Sequence, residues 1–123
     1  MQVLKVKELL DALTGENTYI NAFPTTRDEC LKFILSDTES EGRGLRTMYI
    51  RFGYKADHPY FAESRLVAIV EKIHKKTGFI HDGIQVVHAF CESTTPVYEG
   101  ELENGQHFYS LEVTVTIFSE RMK

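Results

Sequence analysis

The runs IQVVHAF (84–90) and HFYSLEVTVTIF (107–118), on either side of the turn-rich insert PVYEGELENG (96–105), decide the fold class. In the second run Tyr109, Leu111, Val113, Val115 and Ile117 occupy every other position, with Ser110, Glu112, Thr114 and Thr116 between them. Side chains of an extended chain alternate between the two faces of a sheet, so this pattern predicts a long strand with one buried and one wet face. The β-branched residues suit a pleated, half-buried surface. No nucleophile motif, phosphate loop or metal-ligand spacing lies in this stretch, so its information is architectural.

Upstream, Val3, Val6, Leu9, Leu10 and Leu13 repeat at helical spacing and Gly15 supplies a stop, which predicts a short amphipathic helix. TYINAF (18–23), ended by Pro24, and CLKFIL (30–35) read as strands, as does TMYIRFGYK (47–55) with Met48, Ile50, Phe52 and Tyr54 on one side. Between the last two lies SDTESEGRGLR (36–46), the longest segment with no apolar periodicity; it reads as a polar loop, unusually long for a hairpin and suited to mobility or contact-making. His58-Pro59 opens the main helix, with Asp57 or His58 at its cap. Its apolar stripe is Ala62, Leu66, Ile69, Val70 and Ile73, and Glu71 and Lys75 stand at pairing distance. Lys72, Lys75 and Lys76 in the last turn complement the helix dipole, and Gly78 ends it. One mainly antiparallel sheet with two helices on one face follows, an α+β class in a single domain spanning residues 1–123.

The chain has 123 residues, 42% apolar and 26% charged, enough for its own core without disulfides or metal. Its net charge of −4 argues against a protein that chiefly neutralises phosphates, so no direct nucleic-acid binding is expected. No run approaches the roughly 20 apolar residues of a membrane span. The charged N-terminus MQVLKVKELLDAL does not read as a secretory signal, and a cytoplasmic site of synthesis is expected. Cys30 and Cys91 form no CxxC pair and sit beside apolar runs, where a free cysteine behaves as a small buried hydrophobe.

The search for chemistry returns little. His58, His74, His81, His88 and His107 make no HExxH or other ligand spacing. His88 shares the alternating face of Ile84, Val86 and Phe90 and reads as a sheet histidine, and His81-Asp82 reads as a turn. The glycines of Gly42-Arg43-Gly44 lack the lysine and context of a phosphate loop, and no GxSxG elbow exists. Glu99, Glu101 and Glu103 alternate with Gly100, Leu102 and Asn104, which puts them on one side of an extended ribbon; they read as a solvated acidic turn. No catalytic residue, cofactor or metal is expected.

The strand MYIRFGY (48–54), the helix AESRLVAIVEKIHKKTG (62–78) and the pattern PVYEGELENGQHFYSLEVTVTI (96–117) together resemble the small phage proteins that cap the tail tube and join it to the head. These are the tail terminators, with a related group labelled minor capsid proteins. The resemblance spans nearly the whole chain as a pattern of residue types and spacings. It implies a homo-oligomeric, hexameric ring, a virion or prophage setting, and partners in the tail tube and head connector. Relatives carry an extended β-hairpin where residues 36–46 lie, which makes Glu39, Glu41, Arg43, Arg46 and Arg51 the candidate subunit or partner contacts. Two other readings stand beside it. One is a small metal-binding or enzymatic module using the acidic turn around Glu99, Glu101 and Glu103 with His107; the other is an interaction adaptor unrelated to phage.

Overall fold

The computed structural model describes residues 3–119, apart from the side chains of residues 37–41. Helix α1 (Val3–Thr14) leads through β1 (Thr18–Ile20) into the hairpin β2 (Cys30–Gly42) and β3 (Leu45–Ala56). Helix α2 (Pro59–Ile73) follows, then β4 (Phe79–His81), β5 (Ile84–Cys91), β6 (Val97–Glu101) and β7 (His107–Ser119). The strands form one seven-stranded sheet in the order β1-β2-β3-β7-β5-β4, with β6 also on β7. All pairs are antiparallel except β1 with β2, so the α+β class and the mainly antiparallel sheet hold.

Strand β7 is central. One edge pairs with β3 along its whole length, from Leu45↔Phe118 to Ala56↔His107. The other edge is shared: β6 takes residues 107–110 and β5 takes residues 113–119. The alternation read from the sequence appears directly as burial. Leu111, Val113, Val115 and Ile117 join Met48, Ile50, Phe52, Leu31 and Phe33 in the core, under Leu66, Ile69 and Ile73 of α2. Each such side chain removed from water contributes about 1.5–3 kcal/mol, which is what holds α2 on the sheet.

Helix α1 buries Val6, Leu9, Leu10 and Leu13, while Val3 at its start is exposed. It is tied down by polar contacts at both ends of the sheet order. The backbone and hydroxyl of Thr18 in β1 both donate to Asp11, at 2.8 and 2.6 Å, and Lys5 pairs with Asp82 beside β4 at 3.2 Å. Burial acts to raise the Asp11 pKa, but bonds from Lys7 and Thr18 outweigh it and hold the carboxyl below its usual range.

Several expectations are corrected. Residues 36–46 are not the loop their composition suggests but a hairpin, as the resemblance implies: β2 and β3 stay paired, with register shifts after Leu35 and Ser40, to Gly42↔Leu45, leaving a two-residue turn at Arg43-Gly44. Both turn residues have positive φ (55° and 83°), the geometry that matches strand twist in the tightest hairpins. Helix α2 stops at Ile73, not near Gly78, because Lys75 turns to φ 63° and its N–H goes to the Ala89 carbonyl (2.7 Å). Lys72 alone lies in the last turn, and no Glu71–Lys75 ion pair forms among the described residues. His58 is the cap residue but makes no side-chain cap bond. The first strand ends at Ile20, where Asn21 takes φ 68°. Two short strands, β4 and β6, were not separated from their neighbours by pattern alone.

Candidate interaction surfaces

The helices cover one face of the sheet, so the opposite face carries whatever β2, β3 and β7 present outward. At one end it is closed by residues 21–29. Phe23 packs edge-on against Phe108 (5.7 Å between centroids), and the buried Lys55 amine donates to the carbonyls of Pro24 (3.1 Å) and Thr26. Gln106, also fully buried, donates to the Arg27 carbonyl (2.9 Å), and Arg27 pairs with Asp57 (2.7 Å). Buried polar groups persist when each finds a partner, and here the partners are backbone carbonyls of an irregular segment.

Beyond that strap the face is open and charged. Arg51 and Glu112 stand opposite one another in the β3–β7 register and form an exposed ion pair at 2.7 Å. The hydrogen bond to Glu112 raises the Arg51 pKa further. Around the pair, Ile34, Tyr49, Glu92 and Thr114 line a shallow concavity of about 270 Å³. Lys32 lies over the rings of Phe23 (4.5 Å) and Phe108 (5.5 Å), a cation–π arrangement. Burial, then the nearby Arg51 charge, lowers its pKa, with Glu99 opposing. Glu99 is the extra residue of a bulge between Tyr98 and Gly100 and accepts a bond from Ser110 Oγ at 2.6 Å.

That bulge breaks the alternation expected for Glu99, Glu101 and Glu103. Among the described residues no group of three His, Cys, Asp or Glu side chains converges as a metal site. His107 Nδ1 meets the Tyr98 hydroxyl at 2.8 Å, and Tyr98 packs against Tyr109 at 5.3 Å on the exposed margin of the sheet. Burial, then Glu63, raises the Tyr109 pKa. His88 departs from the face expected of it. A second bulge, between Val86 and His88, shifts the pattern so that Ala89 and Cys91 are buried while His88 and Phe90 are exposed and stacked at 6.2 Å. His74 accepts the Cys91 N–H (3.0 Å). Both cysteines are free and buried, and burial pushes the Cys91 thiol up to about 11.

The five proposed contact residues do not gather into one patch. Arg43 sits in the hairpin turn. Arg46 shares the β3 face of Met48 and Ile50, and Arg51 points the opposite way, onto the open face. Eight residues of extended chain put Arg43 and Arg51 roughly 25 Å apart. Glu39 and Glu41 belong to β2, and their side chains lie outside the described residues. Lys32 and Glu112 were not among the contact residues read from the sequence. An opposite-charge pair at matched register was the available signal for Glu112, but it requires the register first.

No family model and no curated protein matches the sequence. A solved structure does match in fold: a chain described as "Virion of native gene transfer agent (GTA) particle" superposes with a TM-score of 0.58 at 13% identity. The match covers 94% of this chain and 89% of that one. At that identity the likeness is one of fold.

Proposed function

We propose that this chain is a structural component of a phage-type virion, one that ends the tail tube and joins it to the head as a tail terminator or minor capsid protein. The observation that carries the reading is the near full-length fold shared with a chain of a gene transfer agent virion. The resemblance of its strand, helix and final-strand patterns to tail terminators points the same way. The surfaces are of a kind that binds other proteins. They are a shallow charged sheet face and strand margins with exposed Val97, Tyr98 and Ile80. Such edges and mixed faces serve recognition by added strands and by complementary charge.

In this reading the protein is a non-enzymatic single domain that forms a ring, hexameric by the family resemblance, with heterologous contacts between copies. It is assembled in the bacterial host cytoplasm and ends in the virion. Its partners are its own copies, the tail tube and the head connector, and Glu39, Glu41, Arg43, Arg46 and Arg51 are the proposed contacts. The experiment is a phage or prophage lacking the gene. Heads and tails accumulate unjoined and tails have abnormal length; infectious particles of normal form from the deletion would overturn the reading.

A further inference from the structure

The two outer strands of the sheet differ in charge and lie level with one another. Register lines run straight across the sheet: Gly42, Leu45, Phe118, Gln85 and Ile80 form one row. Ser40, Arg46, Ile117, Val86 and Phe79 form the next. Each row therefore starts at β2 and ends at β4. Strand β1 covers β2 only through Ile20↔Phe33, so among the described residues no strand pairs the other edge of residues 34–42. Likewise β4 has β5 on one side and no strand on the other, and Ile80 on it is 66% exposed.

The charges at these edges are opposite. Residues 36–42 read SDTESEG, with three carboxylates and no lysine or arginine. The β4 edge is prolonged by Lys75 and Lys76, whose backbone pairs with Ala89 through bonds of 2.7 and 3.1 Å. Both lysines are exposed, and neither meets a carboxylate among the described residues. Lysines at an open edge discourage pairing with neutral or basic strands, and the same lysines favour an acidic one.

We infer that the acidic β2 edge of one copy adds to the lysine-flanked β4 edge of a second copy, continuing the sheet head to tail. Alternate antiparallel pairing from β2 to β4 leaves these two strands pointing the same way. A copy related by rotation about an axis along the strands therefore joins them as a parallel pair. The contact uses two different surfaces, as a closed ring requires. The inference deepens the ring reading above and rests on it for its biological setting.

The test uses the intact protein in sedimentation velocity over a range of concentrations, with circular dichroism as the check on folding. Wild type self-associates, and salt weakens the association. K75E/K76E and, separately, D37K/E39K/E41K stay folded and lose association by roughly a hundredfold, because attractive contacts become like-charge contacts. Mixing the two variants restores it, since each then offers the edge the other lacks. Three results overturn the inference: a wild type that stays monomeric, which points to another acidic protein as occupant; folded variants that associate like wild type; or a mixture that stays dissociated. The particle phenotype of the deletion is read independently, so either conclusion can fail while the other stands.

Discussion

Residues 21–29 and 36–46 are both polar stretches rich in turn-forming residues, yet the protein holds them by opposite means. The first has almost no ladder pairing and is fixed by side chains from elsewhere: Lys55 and Gln106 donate to its carbonyls, and Phe23 packs on Phe108. The second is held by its own backbone, paired with β3 through two register shifts, after Leu35 and after Ser40, to the turn at Arg43-Gly44. The contrast separates order from regularity. An irregular segment is rigid when buried donors reach its carbonyls, and a polar segment is a strand when a neighbouring strand claims its amides.

The difference can be broken most strongly at Lys55. Lys55→Met keeps the length of the side chain but leaves the Pro24 and Thr26 carbonyls without their donor, and is expected to cost about 1–3 kcal/mol. Amide exchange should rise across residues 22–29 and stay unchanged in the hairpin; a uniform rise would mean the two regions are not held separately. Gly44→Ala acts on the other side of the comparison. It forces a Cβ into φ 83° and is expected to cost about 1 kcal/mol in urea unfolding, with faster exchange confined to the hairpin end. The smallest effect belongs to Arg43→Glu, an exposed turn residue, where the stability change should fall within about 0.5 kcal/mol. A larger loss would show that the guanidinium supports the turn.

What the sequence disclosed follows the same division. The faces of β7 and α2 were legible because burial there obeys a fixed period, and Leu111, Val113, Val115 and Ile117 lie where alternation puts them. Residues 36–42 read as a loop by composition because a run of polar residues leaves no hydrophobic trace of ladder pairing; only the resemblance pointed to a hairpin there. His88 was misread because a bulge at Val87 inverts the pattern without a glycine or proline to mark it. The helix end was misread because Gly78 is the usual stop signal, while the real stop comes from tertiary pairing of Lys75 and Lys76 with Ala89. Of the candidate contacts, Arg51 was visible as a charge inside a strand. Its partner Glu112 emerged only with the register, and the strap anchored by Lys55 left no signal, since a lysine in a strand ordinarily reads as solvated.

The placement of β7 also governs how the chain is made. It is the last of the described strands in sequence and the middle of the sheet, the common neighbour of β3, β5 and β6. A ribosome adding about 5–20 residues per second therefore releases every other strand before the one that joins them. Until then α2 has no complete surface to lie on, and the nascent β2–β3 hairpin has an unpaired inner edge. Folding is consequently a single late event, and a product truncated before His107 would leave those edges open to aggregation instead of forming a smaller stable domain.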